Sequence, residues 1–383
     1  IIASKIFIKF CLECLEKSRL SCHDPFFIMS IKPIAIICLS PSQGGMELLA
    51  LSFAKKLNHC LTDSKVIMIV KQESYIHSEL KTSEDLAYEV LGFRTFFSFS
   101  IMKNVRKIVK YHNIKNIIFF GNSEMKSMYF SFLYLRMNLS LVHVTTKSTS
   151  KKDFLHRVIY SDVKYYIGLS THLVNNVKEI FPLGSQTQLK MITPSLDINP
   201  PLVINHSKLT LLHTGRITKG KGQVDAIKAC KSLIKNNIDF HFYIVGQIEP
   251  SFEVEFMNFY ENCKYKDKIE LTGFKKDIST YIQKSDVFIF PSYGEGFGLS
   301  FAEALANNIV CLSYANTSFF DFEKFGFYFR MCKDGDISDL GKNLLDVCMN
   351  LEFELEKSNK NHALAKKVFS TQREIDKYLE ILE

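Results

Sequence analysis

Apolar segments that alternate with helical segments constrain the fold of this chain more than any other feature. Residues 33–40 form a continuous apolar run that ends at Pro41, Gly44 and Gly45, as is typical of a strand buried on both faces of a parallel sheet. Helical periodicity comes next, over residues 46–58. Further strands are predicted at residues 65–71, 116–120, 139–145 and 165–170. This alternation predicts a doubly wound α/β sheet.

A second series of the same kind begins at residue 209. Its predicted strands lie at residues 209–215, 240–246, 268–273 and 286–291, with helices starting near Gly222, Asp277 and Ser300. Residues 193–201 between the two series contain three prolines, which indicates a stiff linker. Two Rossmann-like domains joined in this way face each other across a cleft at the carboxyl ends of their strands, where such sheets bind ligands.

The domain boundaries are set by these two series. We predict an N-terminal domain at 29–195, a linker at 196–207, a C-terminal domain at 208–360 and a final helix at 361–383 that packs back on the N-terminal domain. Residues 1–28 differ in pattern from the rest of the chain, and Met29 lies just before the first strong strand. We therefore expect residues 1–28 to be an upstream extension outside the fold.

Composition limits the class of protein. Hydrophobic residues make up 46% and charged residues 23% of the 383, which is typical of a soluble globular chain. No apolar run approaches the roughly 20 residues that a membrane-spanning helix needs. The ten cysteines are scattered, mostly in apolar runs, which favours free thiols in a reducing cytoplasm over a disulfide framework.

The net charge of +8 is concentrated in one half of the chain. Residues 29–200 contain 21 Lys and Arg against 12 Asp and Glu. This excess fits either an ordinary solvated surface or a domain that faces anionic lipid or an acidic acceptor. Nucleic acid is not an expected partner, because the cations are spread among helices without a recognition element.

The first chemical motif covers residues 215–222, between a predicted strand and a predicted helix. Gly215 lets the backbone approach an anion closely, and a helix start offers unpaired N–H groups. Arg216 and Lys221 bring two cations to the same turn, where they could stabilise a departing diphosphate without a metal. A solvated basic turn is the alternative. The spacing fits neither a Walker loop nor the dinucleotide fingerprint.

The second motif covers residues 291–306, directly after another predicted strand. A glycine-rich turn holds Glu295, and the helix behind it carries Glu303, eight residues on. A carboxylate on the turn can accept hydrogen bonds from sugar hydroxyls and face positive charge at an anomeric carbon. A carboxylate on the helix suits ribose hydroxyls, as acidic residues do in dinucleotide folds. The alternative for Glu303 is a solvated helix position.

Arg216 with Lys221, and Glu295 with Glu303, resemble the pattern of glycosyltransferase family 4, the retaining enzymes with the two-domain GT-B fold. The resemblance covers nearly the whole chain from residue 29. Gly44 and Gly45 look like the acceptor-side glycine loop of that family. Residues 151–160 resemble a stretch of its lipopolysaccharide and capsule members, and residues 242–246 and 271–274 look like its nucleotide-base pocket.

The resemblance implies roles for these residues. Arg216 and Lys221 hold the diphosphate, Glu295 contacts the donor sugar, and Glu303 contacts the ribose. The other expected donor-binding residues are Gly44, Gly45, Gly215, Gly246, Phe274, Gly296, Phe297, Gly298 and Leu299. The family requires no metal or other cofactor, so we expect no metal site. Its mechanism is usually drawn as front-face displacement, with the leaving phosphate assisting the incoming hydroxyl.

The chain departs from the family pattern in several places. His143 is the nearest match to the active-site histidine, but it lies within the predicted strand 139–145, so a packed core histidine is the alternative. Ser300 replaces the usual proline and is expected to cap the helix. Asn307 and Asn308 replace a glycine-rich turn, and asparagine tolerates the left-handed backbone such a turn needs. Ser195 and Leu196 stand where the family usually has Asn-Gly.

The resemblance predicts a retaining hexosyltransferase that uses a nucleotide-sugar, with a mild preference for UDP-sugars over guanosine-linked mannose. The predicted acceptor is a glycan or glycolipid of lipopolysaccharide, capsule or another part of the cell envelope. The predicted location is the cytoplasm, including the inner face of the cytoplasmic membrane, with an anionic membrane surface as a further candidate partner. A nucleotide-sugar epimerase and a non-catalytic nucleotide-sugar-binding partner of the same fold are the alternatives.

Overall fold

The structure, a computed structural model, describes residues 32–61, 64–83, 85–95, 97–121, 124–198 and 208–382. The predicted extension at 1–28 and most of the predicted linker, residues 199–207, lie outside the described residues. Within them the chain forms two parallel sheets, each with helices on both faces. None of the described helices is long and apolar enough to cross a bilayer.

The N-terminal domain is built on seven strands. They are β1 (Ile34–Cys38), β2 (Val66–Lys71), β3 (Ala87–Leu91), β4 (Asn116–Phe120), β5 (Asn138–His143), β6 (Val163–Gly168) and β7 (Gln188–Met191). The helices are α1 (Gly45–Cys60), α2 (Tyr75–Lys81), α3 (Phe99–Tyr111), α4 (Met125–Phe132), α5 (Phe154–Ile159) and α6 (Thr171–Ile180). The strand order is β3-β2-β1-β4-β5-β6-β7, and every pairing is parallel.

The C-terminal domain is built on six strands. They are β8 (Leu209–Thr214), β9 (Phe240–Val245), β10 (Ile269–Gly273), β11 (Val287–Phe290), β12 (Val310–Tyr314) and β13 (Arg330–Cys332). The helices are α7 (Gln223–Ala229), α8 (Lys231–Lys235), α9 (Glu253–Glu261), α10 (Ser279–Gln283), α11 (Leu299–Ala306), α12 (Phe319–Lys324), α13 (Ile337–Met349), α14 (Leu351–Ser358), α15 (Lys360–Val368) and α16 (Thr371–Leu382). The strand order is β10-β9-β8-β11-β12-β13.

The continuous apolar run of β1 is explained by burial on both faces of its sheet. Ile34 and Ile36 enter the core beneath α1 and α2, whereas Ala35 and Ile37 enter the core beneath α3 to α6. Successive side chains of a strand point to opposite faces, so neither face of β1 requires polar side chains.

The chain order of the strands reverses direction once in each sheet. In the N-terminal sheet this switch point lies between β1 and β4, and in the C-terminal sheet between β8 and β11. The connections leave opposite faces at such a point and open a crevice at the carboxyl ends of the two strands. The glycine loops singled out in the sequence come directly after β1, β8 and β11, so all three flank a switch point.

The end of the chain joins the two domains. Residues 361–383 were expected to form one helix, but the described part contains most of α15 and all of α16. The backbone N–H of His362 at the start of α15 donates to the Asn308 side chain of the C-terminal domain at 2.9 Å. In α16, Tyr378 packs on Phe53 of α1 with ring centroids 4.2 Å apart, and Glu374 accepts hydrogen bonds from Ser195. The last helix therefore packs on the N-terminal domain.

Four strands were not predicted: β3, β7, β12 and β13. β3, β7 and β13 lie at sheet edges. Polar and partly exposed residues there interrupt the apolar run by which a buried strand is predicted. β12 is fully buried, but it has only five residues and one of them is a serine, so its apolar signal is weak.

Asn308 has a φ of 58°, the left-handed conformation expected of the turn that follows α11. Ser300 does not cap α11, because Gly298 occupies the capping position.

We predict that the docking of α16 contributes substantially to stability. Tyr378 is 1% exposed, so Tyr378→Ala should lower the free energy of unfolding by about 3–5 kcal/mol, the range for removing a buried aromatic side chain. Tyr134 is 92% exposed, so Tyr134→Ala should change it by less than about 0.5 kcal/mol. Urea denaturation of both variants measures the difference. Equal effects would show that α16 contributes little to the fold.

Candidate functional site

Two loops flank the crevice between β8 and β11. Residues 215–222 come directly after β8 and residues 291–298 directly after β11. The backbone N–H of Tyr293 donates to the carbonyl of Gly220 at 3.0 Å, which joins the loops directly. Gly222 has a φ of 74°, and a Cβ built on it would lie 1.9 Å from the carbonyl oxygen of Pro291. Only glycine permits this approach, so the backbone contact sets the width of the crevice.

A second close backbone contact supports the loop after β8. Gly246 comes directly after β9, and a Cβ on it would lie 2.0 Å from the carbonyl oxygen of Gly215. The N–H of Gly215 donates to the carbonyl of Val245 at 2.9 Å. Phe274, the predicted base-pocket residue, comes after the last residue of β10 and is 52% exposed. Gly215, Gly246 and Phe274 thus lie at the carboxyl ends of three adjacent strands.

The two loops bring opposite charges together. Lys221 Nζ lies 2.6 Å from Glu295 Oε1, and Glu295 is 7% exposed. The N–H of Glu295 donates to Thr317 Oγ1 at 3.0 Å, which fixes the backbone of the turn. The predicted phosphate-binding lysine and the predicted sugar-binding carboxylate are therefore neighbours.

Arg216 lies beside this pair without being part of it. The residue is exposed and comes directly after Gly215. Within the described ranges its guanidinium makes no hydrogen bond or ion pair, whereas its carbonyl accepts from Gln223 Nε2 at 3.0 Å. A fixed backbone with a free guanidinium suits an anionic ligand, because the fork of N–H donors matches a phosphate.

His213 is a site-supporting residue that sequence reasoning missed. It lies on β8, is fully buried, and its Nε2 lies 2.9 Å from the carbonyl oxygen of Lys221. Burial lowers the pKa of His213 to about 4, so the ring is neutral and Nε2–H is the donor. This bond holds the Lys221 backbone. The only sequence signal was a histidine inside an otherwise apolar strand.

Glu303 is half-buried on α11. Burial, reinforced by the nearby carboxylates of Asp197 and Asp277, raises the pKa of Glu303 to about 7. Its environment is therefore unlike that of a solvated helix position. Asp197 lies near the start of the linker and Asp277 precedes α10, so three carboxyl groups from distant parts of the chain converge here. Such a group is well suited to accept hydrogen bonds from a hydroxylated ligand.

The glycine-rich turn also contacts the N-terminal domain. Ser170 Oγ donates to the carbonyl of Gly296 at 2.5 Å, and a Cβ on Gly296 would lie 2.3 Å from the carbonyl oxygen of Val144. Phe297 is 5% exposed and packs on Phe369, with ring centroids 6.0 Å apart. The Phe297 side chain thus belongs to the core, and any donor contact by this residue comes from its backbone.

The glycine loop after β1 reaches across to the same turn. A Cβ on Gly45 would lie 3.6 Å from Leu299 Cδ1, at the start of α11, and Gly44 precedes the first residue of α1. Beside this loop is a cavity of about 390 Å³. It is lined by Pro41, Gln43, Glu73, Ser74, Tyr75, His77, Ser78 and Lys81. The N-terminal glycines and the donor-side turn therefore border one cleft.

His143 lies at the carboxyl end of β5 rather than within a longer strand. Its side chain is buried, its Nε2 lies 2.9 Å from Asn176 Oδ1, and its ring packs against Phe181. Burial lowers the pKa of His143. These contacts match those of a packed core histidine, and its catalytic role stays a prediction. Among the residues that the structure describes, no cluster of three or more His, Cys, Asp or Glu could hold a metal.

Comparison with known proteins agrees with this geometry. Residues 196–370 match the family model described as glycosyl transferases group 1. The chain is also 24% identical over 351 residues to an uncharacterized glycosyltransferase of Haemophilus influenzae, covering 89% of this chain and 94% of the relative. The chain is a family 4-like glycosyltransferase. The predicted resemblance to glycosyltransferase family 4 is confirmed.

Two further comparisons extend this result for the glycosyltransferase. Over 113 residues it is 29% identical to the UDP-Gal:α-D-GlcNAc-diphosphoundecaprenol α-1,3-galactosyltransferase of Escherichia coli, covering 29% of each chain. The crystal structure of HepE from Anabaena, in complex with UDP and glucose, matches with a TM-score of 0.77 at 15% identity, covering 92% of this chain and 99% of HepE. This likeness confirms the predicted GT-B fold.

The raised pKa of Glu303 predicts a pH-dependent stability for this glycosyltransferase. A carboxyl whose pKa in the folded protein exceeds its usual value near 4.5 ionises less readily in the folded state than in the unfolded state. The free energy of unfolding therefore decreases as the pH rises from about 4.5 to about 7. Glu303→Gln removes that loss. The stability of the variant relative to the native protein should therefore increase by about 1–3 kcal/mol from pH 5 to pH 8.

Urea denaturation at the two pH values measures this difference. Glu356→Gln is the matched control, because Glu356 is exposed on α14. A difference between Glu303→Gln and the native protein that is the same at both pH values would show that Glu303 is solvated in the folded protein.

Proposed function

We propose that this glycosyltransferase moves a hexose from a nucleotide-sugar to a cell-envelope glycan with retention of the anomeric configuration. The observation that carries the proposal is the 2.6 Å contact between Lys221 and Glu295 at the β8/β11 crevice, beside the exposed Arg216. Two cations and a carboxylate suit a substrate in which a diphosphate is joined to a sugar. Arg216 and Lys221 complement the diphosphate, and Glu295 complements the sugar.

The diphosphate is the leaving group in this reaction. Negative charge grows on it as the bond to the anomeric carbon breaks, and Arg216 and Lys221 stabilise that charge. Lys221 is held from three sides: by the glycine contact, by His213 and by Glu295. Its charge therefore needs little rearrangement during the reaction. Because the two side chains supply the positive charge, the proposal requires no divalent metal.

Glu295 faces the other half of the donor. As the leaving bond breaks, positive charge develops on the anomeric carbon and ring oxygen, and a carboxylate near them is stabilising. Retention then results if the acceptor hydroxyl attacks from the face that the phosphate leaves, with a phosphate oxygen taking its proton.

Uridine is the proposed nucleotide, supported by the UDP bound to HepE and by the UDP-galactose in the name of the E. coli relative. We place the ribose at Glu303 and the base near Phe274. The acceptor occupies the N-terminal side, where the cavity beside Gln43, Tyr75 and His77 offers polar groups for glycan hydroxyls. Lipopolysaccharide and capsule glycans are the proposed acceptors, and the cytoplasm is the proposed location.

A panel of nucleotide-sugars tests the choice of donor through thermal unfolding. A ligand at about 100 times its dissociation constant stabilises a fold by about 2.7 kcal/mol, so the right donor should raise the melting temperature by several degrees. We expect this of UDP-hexoses, and Arg216→Ala should abolish it at the same concentration. A response to GDP-mannose alone would reverse the choice of nucleotide, and no response to any of them would contradict donor binding.

The stereochemical part of the proposal needs the product. Proton NMR of the glycoside formed from a UDP-α-hexose should show the coupling of an α-anomer. A β-anomer would contradict retention, and release of a free epimerised nucleotide-sugar would identify an epimerase instead.

The two glutamates should fail in different ways. Glu303 grips ribose equally in the ground and transition states, so Glu303→Ala should mainly raise the donor KM, by the roughly ten- to hundredfold that about 1.5–3 kcal/mol represents. Glu295 meets charge that develops only in the transition state, so Glu295→Gln should lower kcat by about a hundredfold or more. Arg216→Ala should impair both.

Steady-state kinetics on variants with matched melting curves measures these effects, with Glu356→Gln as a control that should behave as the native enzyme. Normal kcat in Glu295→Gln together with abolished kcat in Glu303→Ala would mean that the roles are reversed. Full activity in both would mean that the two glutamates are structural.

A further inference from the structure

Three helices of the N-terminal domain form one outer layer. α3, α4 and α5 bury Val105, Met128 and Ile159, respectively, in the same core on one face of the sheet. Their opposite sides therefore point away from the sheet in a common direction. We call this outer side, with Phe97 just before α3, the aromatic–basic face.

Large apolar side chains are exposed on the aromatic–basic face. Phe99 is 80% exposed, and Phe97 and Phe130 lie against each other with ring centroids 6.3 Å apart. On α5, Phe154 is 82% and Leu155 is 56% exposed. A single exposed apolar residue needs no explanation, but a group of them on adjacent helices marks an interaction surface.

The charges on this face are mostly positive. α3, α4 and α5 contain six Lys and Arg and no Asp or Glu. Lys103, Lys107, Lys126 and Arg157 are exposed, whereas Arg106 is engaged with backbone carbonyls of Ser131 and Leu133. Residues 97–159 hold only two acidic residues: Glu124 is buried, and Asp153 accepts hydrogen bonds from His156 at the start of α5. Asp153 is therefore the one exposed carboxylate in this range, and the exposed cations outnumber it.

The C-terminal domain has an exposed phenylalanine in a different setting. Phe353 on α14 is 56% exposed, but Lys357 Nζ lies 3.9 Å from its ring centroid, and Glu352 and Glu356 flank it. Its charge and apolar surface are balanced locally. It therefore provides an internal comparison for the aromatic–basic face.

We propose that the aromatic–basic face docks on an anionic lipid bilayer. Exposed aromatic rings interleaved with Lys and Arg fit a bilayer surface, because rings enter the interface while cations meet lipid phosphates. The face spans three neighbouring helices, and its excess of positive charge complements an extended anionic plane.

Docking also orients the cleft. α3 and α5 begin at the carboxyl ends of the strands, so Phe97, Phe99 and Phe154 lie at the same edge of the sheet as Gly44 and Gly45. A docked enzyme thus holds its acceptor side close to the membrane. The acceptor is then a lipid-linked glycan, a conclusion that rests on the proposed function.

Tryptophan fluorescence tests the docking without any substrate. The chain contains no Trp, so Phe99→Trp adds a single reporter to the face, and Phe353→Trp is its matched control. Vesicles of phosphatidylethanolamine and phosphatidylglycerol with brominated chains should quench the Phe99→Trp reporter strongly and leave the control unquenched. Vesicles of phosphatidylcholine should quench neither. Equal quenching of the two reporters, or of the Phe99→Trp reporter in both kinds of vesicle, would overturn the proposal.

Vesicle sedimentation separates the two components of the surface. Replacing Phe97, Phe99 and Phe154 by Ser should weaken binding at least about tenfold, because the rings are the part of the face that enters the bilayer. Replacing Lys103, Lys107 and Lys126 by Gln should weaken it and flatten its dependence on salt. Phe353→Ser combined with Lys360→Gln should bind as the native protein does. Unchanged binding in both face variants would overturn the proposal.

The same variants separate docking from catalysis. Their melting temperatures should still rise with the donor, because the face lies outside the β8/β11 crevice. If the native protein binds vesicles but its melting temperature does not rise with any donor, docking is supported and the proposed function is contradicted. If its melting temperature rises with a donor but it does not bind vesicles, the proposed function is supported and docking is contradicted.

Discussion

The close approach of the Gly222 backbone to Pro291 is the contact on which the site depends. It brings the loop after β8 against the loop after β11, and a Cβ on Gly222 would lie only 1.9 Å from the carbonyl oxygen of Pro291. Lys221 directly precedes Gly222, and Glu295 lies four residues after Pro291. Their ion pair is therefore a consequence of backbone geometry. The bond from His213 to the Lys221 carbonyl then fixes the loop from beneath. Charges positioned in this way need little reorganisation when a substrate binds.

The same turn is held from the other domain, which couples the site to the domain arrangement. Gly296 accepts a hydrogen bond from Ser170 of the N-terminal domain, and Phe297 packs on Phe369 between α15 and α16. α16 in turn packs on α1. A rotation of one domain against the other would therefore strain the backbone directly after Glu295. The carboxylate is best placed only when the two domains meet, which ties the chemistry to cleft geometry.

The parts of the fold that have a local cause could be predicted from the sequence. The central strands β1 and β11 are continuously apolar, and glycines after β8 and β11 mark the turns that backbone contact requires. Lys221 and Glu295, both singled out in the sequence, lie on these turns. Edge strands such as β7 carry polar residues and gave no signal. The environment of Glu303 combines burial with the carboxylates of Asp197 and Asp277, 106 and 26 positions away in the sequence. The burial of Phe297 comes from Phe369, in the segment between the last two helices. Such long-range effects have no local pattern.

The distribution of charge differs between the two domains. Residues from 201 onward carry 23 Lys and Arg against 25 Asp and Glu, so the C-terminal domain attracts an anionic donor only through local cations at the crevice. The N-terminal domain carries the basic excess. Its exposed cations on α3, α4 and α5, however, lie on the outer side of the N-terminal sheet, away from the loops that form the β8/β11 crevice. Donor binding therefore does not account for that excess. The proposed docking on an anionic bilayer accounts for it, and the aromatic side chains among these cations favour a bilayer over a soluble polyanion, which offers nothing apolar for them to enter.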